Sequence, residues 1–209
     1  MSRWVFISDT HGNLPRELPL GDVLVHCGDL SSRGTVEEIN RTATWLRSQP
    51  HKHKVVIAGN HDFSLETPVG TACLDGLTYL CDSGTTLYGL RVWGSPWIPP
   101  FQQWAFMRSD EERLQAWERI PADTDVLVTH CPPWRILDRT REGLHVGCKL
   151  LLDRVTVLRP RLHVFGHIHE DGGRRWKGTE IPTEFINASW VALDAHGAKP
   201  PNSPVVVDL

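Results

Sequence analysis

Five times along this 209-residue chain a short apolar run stops at a turn carrying aspartate, asparagine or histidine, and no other feature limits the possible folds so strongly. The runs are residues 3 to 8, 22 to 27, 53 to 58, 124 to 129 and 161 to 165. Each has the length of one strand, and a run apolar on consecutive positions, such as Val-Leu-Val-His-Cys at 23 to 27, reads as a strand buried on both faces. Gly28 ends that run by letting the backbone turn sharply, and Asp29 follows. Between the second and third runs, Thr35-Val36-Glu37-Glu38 forms a capping box, in which Thr35 accepts from the third helical amide while Glu38 reaches back. A helix from there to about Gln49, stopped by Pro50, makes a strand-helix-strand unit, so the flanking strands pair in parallel. In such sheets ligands bind at the edge formed by the strands' C-terminal ends.

The middle of the chain changes character. Short alternating pieces, Leu77 to Leu80, Thr85 to Tyr88 and Leu90 to Trp93, are separated by Asp-Gly, Ser-Gly and Tyr-Gly turns and predict a meander of hairpins. Gly94 to Phe101 is too proline-rich for a central strand and is expected to be a rigid loop. Trp93, Trp97 and Trp104 read first as packing residues, and Trp97 is also a candidate to stack a flat substrate group. Ser109-Asp110-Glu111-Glu112 is a second capping box, predicting a helix to about Ile120 that buries Leu114, Trp117 and Ile120. A long charged loop to Gly147 precedes a helix from about Cys148 to Leu158. The tail predicts a hairpin within Gly172 to Thr183, a strand at 184 to 188 and a last strand at 204 to 208. Two groups of strands imply two sheets, and the length allows one core, so residues 1 to 209 are expected to form a single domain.

Composition removes several function classes. A net charge of -3 gives no broad basic surface of the kind a dedicated nucleic-acid binder needs. The longest apolar runs are about six residues, against the roughly 20 that span a bilayer. Five cysteines, an odd number without a C-x-x-C pair, argue against a disulfide framework or a thiolate zinc site. A strand that begins almost at the N-terminus leaves no room for a signal peptide, so a soluble, cytoplasmic protein is expected.

Collected, the strand ends supply Asp9 and His11, then Asp29, then Asn60 and His61, then His130, then His167 and His169. Asp9-Thr10-His11 alone reads equally as a metal-binding pair on one face of extended chain or as an Asx-turn with a solvated histidine. Five strand ends all bearing hard oxygen or imidazole donors favour metal. There are more donors than one ion needs, and Asp29 in the middle of the set can bridge two. Two cations roughly 4 Å apart activate water and clamp the oxygens of an in-line phosphoryl displacement. No P-loop or G-x-G-x-x-G is present, which removes the usual phosphate cradles of nucleotide-dependent transfer and dinucleotide redox chemistry. Of the other histidines, His26 and His163 read as core residues, while His51, His53, His145 and His196 lie in loop contexts without an assigned partner. Arg174, Arg175 and Lys177 read as a solvated turn.

The blocks D-x-H, G-D, G-N-H-[DE], a later H and G-H-x-H resemble the calcineurin-like metallophosphoesterases, and all five are here. More closely, Gly94-Ser95-Pro96-Trp97, Thr129 to Pro133, Arg161 to Glu170 and Phe185 to Ser189 resemble the metallophosphoesterase domain-containing subfamily, essentially end to end. The resemblance implies an α/β fold, a four-layer α-β-β-α sandwich of two mixed sheets flanked by helices. It implies that Asp9, His11, Asp29 and His169 hold one divalent metal and Asp29, Asn60, His130 and His167 a second. It leaves His61 free as the catalytic acid and makes Arg33 a candidate phosphate contact. Oxygen and imidazole donors without thiolate suit manganese first, with iron, zinc or cobalt as alternatives. The implied activity is hydrolysis of phosphodiesters of nucleotide-like small molecules, cyclic nucleotides included, by a metal-bridging hydroxide. A phosphomonoesterase and a non-catalytic metal-binding scaffold are the alternatives. One departure stands out: the superfamily's protein phosphatases carry an acid, orienting the catalytic histidine, where this chain has Ser32.

Overall fold

A computed structural model describes residues 1–194, 197–199 and 201–209 of the chain. Its strands in chain order are β1 (Arg3–Ile7), β2 (Val23–Cys27), β3 (His53–Ile57), β4 (Thr78–Tyr79), β5 (Ser83–Leu87), β6 (Leu90–Ser95), β7 (Val126–Thr129), β8 (Leu162–Phe165), β9 (Arg175–Lys177), β10 (Glu184–Asn187), β11 (Ala192–Asp194), β12 (Gly197–Lys199) and β13 (Val205–Asp208). The helices are α1 (Val36–Ser48), α2 (Pro68–Ala72), α3 (Asp110–Glu118) and α4 (Lys149–Leu158). One sheet has the order β13-β1-β2-β3-β4, a second the order β5-β6-β7-β8-β10-β9, and β11 pairs with β12. Within the first, β1, β2 and β3 are parallel, and β13 closes the edge antiparallel to β1. Within the second, β6, β7, β8 and β10 are parallel, so both sheets are mixed.

Strand alternation explains the layering. Trp4 and Phe6 point into a core shared by both sheets, where they meet Val25, Ile57, Val126, Val128 and Val164. Val5 and Ile7, on the other face of β1, pack with Leu24 and Val56 against Ile39, Ala43 and Leu46 of α1. On the far side, Leu127, Phe165 and Phe185 pack against Ala116 and Trp117 of α3 and Leu151 and Val155 of α4. The result is helix, sheet, sheet, helix, the four-layer α/β sandwich. Every strand near the centre is buried on both faces, so a register slip of one residue would exchange two complete cores. At about 1.5–3 kcal/mol for each fully buried large apolar side chain, such a slip is strongly disfavoured.

The caps form as the sequence predicts. Thr35 opens α1 and Ser109 opens α3, each with the reciprocal capping box to Glu38 and Glu112, and Gln49 closes α1. Four expectations need correction. The meander is in fact split between the sheets: β4 joins the first sheet parallel to β3, and only β5 and β6 make a hairpin. Leu80 at the break packs into the core between the sheets, which anchors the crossing. In α3, Leu114 is 45% exposed, and the buried face is Arg113, Ala116 and Trp117. Arg113 takes the inward position because its guanidinium finds buried partners. The tail hairpin lies one strand later than predicted, β9 pairing with β10 rather than folding within 172 to 183. The strand of the proline-rich segment also continues through Ser95 before the loop begins. The short α2 and a 3-10 turn at Phe63–Glu66 carried too few residues to show a period.

Candidate metal centre

The turns that follow β1, β2, β3, β7 and β8 converge where the C-terminal edges of the two sheets meet. Asp9 N–H donates to the Gly28 carbonyl at 2.9 Å, His11 N–H to Asp29 at 3.1 Å, and Gly166 N–H to His130 at 3.1 Å. His167 N–H lies 3.0 Å from both carboxylate oxygens of Asp9, joining one sheet's turn to the other's. Asp9, His11, Asp29 and His167 all have left-handed backbones, with φ of 52°, 46°, 56° and 70°. Such φ values are strained for non-glycine residues and persist where surrounding contacts over-determine them. The shared-face account of Asp9 and His11 in extended chain is therefore wrong in its geometry: the turn, not the strand pleat, aims both side chains inward. Gly166 is required by close approach, since a Cβ there would lie 2.1 Å from an Asp9 carboxylate oxygen and 2.1 Å from Ser8 Oγ.

Backbone carbonyls decide which imidazole nitrogen faces the centre. His11 Nδ1 lies 3.1 Å from the Ser31 carbonyl and His130 Nδ1 3.0 Å from that of Cys27. A carbonyl only accepts, so both Nδ1 atoms carry hydrogen, which turns both Nε2 atoms toward the centre as the positions a cation would bind. His11 Nε2 is 3.2 Å from His169 Nε2 and 3.7 Å from Asp29 Oδ2. His130 Nε2 is 3.0 Å from Asn60 Oδ1 and 3.4 Å from Asp29 Oδ2, and His169 Nε2 is 3.4 Å from Asp9 Oδ1. Asp9 and Asp29 are buried, and the ion pairs recorded for them are with histidines alone. Carboxylate and amide oxygens and imidazole nitrogens converging at these distances are the donor set of a cation's coordination sphere, so the residues fit divalent metal. Among the described residues, three groups each bring their donor atoms within 4.8 Å of one another: Asp9, His11 and His169; Asp29, His130 and His167; and His11, Asp29 and His61. The third puts His61 within ligand distance, although the sequence reading left it free.

Electrostatics follow from the same packing. Burial pushes the Asp9 carboxyl up, but the hydrogen bond from His169 and the charges of His130, His169 and His11 outweigh it and hold Asp9 below the usual range. Asp29 is likewise held low, against burial, chiefly by His130. Burial lowers His130, yet Asp29 and Asp9 raise it to about 9. Without a cation that proton is what neutralises the carboxylates, and a bound cation would displace it. Burial drives His167 down to about 3, with His130 adding to the effect, and it lowers His11 as well.

His61 sits beside this centre. Its backbone N–H donates to Asp29 Oδ1 at 2.8 Å, and its Nδ1 lies 2.8 Å from the Ser32 carbonyl, so Nδ1 carries hydrogen and Nε2 is open. Ser32 thus orients His61 through its backbone, while its hydroxyl donates to the His11 carbonyl at 2.7 Å. Trp104 lies against the His61 ring, centroids 4.3 Å apart, and Phe101 packs edge-on to His167 at 5.6 Å. Neither aromatic was singled out as a site residue from sequence, because nothing in a proline-rich loop shows which ring faces a histidine. Trp97 lies elsewhere: its indole N–H donates to Asp82 at 2.7 Å, and its ring sits between Phe106 and the Arg108 guanidinium. Arg33 is exposed, its backbone N–H held by Glu38. Asp62, the last residue of the G-N-H-D block, was not read as functional, yet it accepts from Gly59, Leu30 and Ser31 N–H groups and from Ser31 Oγ. His26 and His163 are buried against Thr10 and Thr129, as core histidines should be. His51 and His145 find partners in the Pro19 carbonyl and Asp138, and His53 packs edge-on to Tyr88. His196 lies outside the described residues. Arg174 pairs with Asp171 and Arg175 with Glu184.

A two-sheet sandwich with a carboxylate-histidine cluster at the shared C-terminal edge defines a class, the metal-dependent phosphoesterases. The calcineurin-like phosphoesterase family model matches residues 2–171, a span containing His61 and every donor above. The chain is 36% identical over 237 residues to human Metallophosphoesterase domain-containing protein 1, covering 100% of this chain and 71% of that protein. It is 37% identical over 238 residues to a UPF0046 protein of Caenorhabditis elegans, covering 99% of this chain and 80% of that one. In fold it is similar to the crystal structure of TT1561 of Thermus thermophilus, with a TM-score of 0.62 at 15% identity over 95% of this chain and 97% of that chain. The chain belongs to the calcineurin-like phosphoesterase family and, within it, is similar to the metallophosphoesterase domain-containing proteins. The family points to a metal-dependent phosphoesterase acting on small phosphate esters. Among the described residues no helix is long and apolar enough to cross a membrane.

Proposed function

We propose that the chain hydrolyses phosphodiesters that carry a flat organic group, nucleotide-like diesters being the substrate class. The observation behind this reading is a cavity of about 520 Å³ against His167, walled by Pro99, Pro100, Phe101, Val146 and Ile168, with Thr140 as a polar member. An apolar slot adjoining the metal ligands suits an uncharged ring on the ester rather than a phosphoprotein loop. A monoester dianion calls for a cationic clamp; of the candidates, the hairpin arginines are paired with Asp171 and Glu184, and Arg33 is exposed.

Asp9, His11, Asp29 and His169 would hold one divalent ion, and Asp29, Asn60, His130 and His167 a second. Bound there, two such ions, manganese first, would supply Lewis-acid activation of water and neutralise phosphoryl charge. The chain's own chemistry lies at His61: with Nδ1 fixed on the Ser32 carbonyl, a proton on Nε2 can pass only to the group in front of it, the leaving oxygen. Trp104 excludes water from one face of that ring. A single domain over residues 1 to 209 and a cytoplasmic setting belong to the same proposal. Pairing of β13 with β1 supports the first, and five free thiols, three of them buried, support the second.

The test is a comparison of bis(4-nitrophenyl) phosphate with 4-nitrophenyl phosphate on the full chain, before and after chelation. The diester should be cleaved faster, chelator should abolish turnover, and two equivalents of manganese should restore it. A faster monoester reaction sinks the diester reading, and full activity in chelator sinks the metal reading.

A further inference from the structure

On the outer side of the second sheet, α3 and α4 bring together a buried arginine and two thiols for which hydrolysis at the metal centre has no use. Cys148 is the N-cap of α4, its Sγ 3.4 Å from the Leu151 N–H, so it faces the positive end of a ten-residue helix. From α3, Arg113, 4% exposed, brings Nη1 to 2.8 Å of the same sulfur. The other guanidinium nitrogens go to the Arg108 carbonyl at 3.0 Å and to Asp110, whose side chain is 85% exposed and so a screened counter-charge. The Cys148 sulfur is the buried atom able to balance Arg113. Cys131, also buried, packs in the same cluster, the turn after it held to Cys148 by the Pro133–Cys148 bridge. A cavity of about 270 Å³ reaches Cys148 between Arg113, Trp134, His145, Lys149 and Asp110.

We propose that Cys148 is a reactive-thiol site that takes oxidants of the hydroperoxide class, with Cys131 as the partner that resolves the product to a disulfide. The surroundings favour a thiolate at Cys148: hydrogen bonding from Cys131 leads, burial opposes, Arg113 and the α4 amide add to it, and the group is lowered to about 6. Arg113 Nη1 and the Leu151 N–H both reach the Cys148 sulfur, which makes it the nucleophile and leaves Cys131 as the reserve. In the first step the Cys148 sulfur attacks a peroxide oxygen: an S–O bond forms, the O–O bond breaks, and the departing hydroxide takes a proton from solvent. Cys148 becomes a sulfenic acid, oxidised by two electrons as the peroxide is reduced. In the second, the Cys131 sulfur displaces the hydroxyl: S–S forms, S–O breaks, and the Cys131 proton leaves with the hydroxyl as water. Overall, two thiols and one hydrogen peroxide give one disulfide and two waters. Cys131 follows His130 directly, and the Cys148 N–H donates to Pro132 at 2.9 Å, so the disulfide would tighten the turn that carries a metal-facing histidine.

The experiment uses the full chain and mass spectrometry, independent of phosphoesterase turnover. Iodoacetamide should label Cys148 at a rate nearly flat between pH 7 and 9, because its thiolate is already formed. Treatment with hydrogen peroxide should yield a Cys131–Cys148 linked peptide. In Cys131→Ser, dimedone should instead trap sulfenic acid at Cys148. Arg113→Lys, which keeps the charge but not the planar fork, should slow labelling less than Arg113→Gln, which should slow it about tenfold. Labelling of Cys148 that climbs about tenfold per pH unit across that range, failure of Cys148 to label in the folded protein, or peroxide linkage of other cysteines would each overturn the proposal.

Discussion

His61 holds Nδ1 against the Ser32 carbonyl and presents Nε2 to the cluster, while its backbone N–H binds Asp29. Removing the imidazole proton without removing the side chain separates proton donation from cation binding. His61→Gln should leave metal content near wild type while turnover falls by roughly 10²- to 10⁴-fold. The loss should be larger for an alkyl or ribose leaving group than for nitrophenolate, which departs unprotonated. A variant that loses one metal by elemental analysis makes His61 a ligand, as its distance to His11 and Asp29 allows. Asp29 Oδ2 lies between His11 Nε2 and His130 Nε2, one from each proposed ion's set. Asp29→Asn should therefore lower occupancy of both ions together. Titration showing one tight metal retained would place the bridge elsewhere. Both residues were legible in the sequence as strand-end donors. Their different duties were not, because those depend on carbonyls and rings from other turns.

Between elements, Asp62 fastens the turn after β3 to the turn after β2. Its buried carboxylate accepts from Gly59 N–H at 2.9 Å, Leu30 N–H at 3.2 Å, Ser31 N–H at 3.0 Å and Ser31 Oγ at 2.7 Å. Burial, followed by the charge of Asp29, pushes it up to about 6, and the hydrogen bonds from the Ser31 hydroxyl, Gly59 and Leu30 oppose that rise. Asp62→Ala would leave those donors unpaired in the interior and should cost more than about 3 kcal/mol in urea unfolding. A loss within about 1 kcal/mol would mean that water or a shifted backbone replaces the carboxylate. Helices α1 and α3 were readable to within a residue or two because a capping box is complete within four positions. The buried face of α3 was not, since the inward-turned Arg113 meets Cys148, 35 positions away.

At the scale of the whole molecule, acid weakens the sandwich through a histidine outside the metal centre. Thr129 Oγ1 donates to the Cys131 carbonyl at 2.8 Å, so it accepts from His163 Nε2 at 2.8 Å, which leaves Nδ1 a buried lone pair without a partner. Burial lowers His163 to about 3. The unfolded chain takes up a proton as pH falls below the ordinary value of 6.5, and the folded chain refuses it until about 3. Stability is thus full above 6.5 and lost progressively between 6.5 and 3. From pH 7.5 to 5, wild type should lose on the order of 2 kcal/mol relative to His163→Leu by urea midpoints. Parallel profiles would exclude His163 as the acid-sensitive group. What the amino-acid sequence by itself determined was the set of strand ends bearing Asp9, His11, Asp29, Asn60, His61, His130, His167 and His169, together with both capping boxes. Those features rest on period, cap chemistry and turn residues, interactions that span a few positions. Tertiary structure alone decided the left-handed turns that aim Asp9 and His11, the tautomers set by the Ser31, Ser32 and Cys27 carbonyls, the placement of β4, and the rings set against His61 and His167. Each of these is fixed by groups distant in sequence, whose meeting exists only once the two sheets have packed.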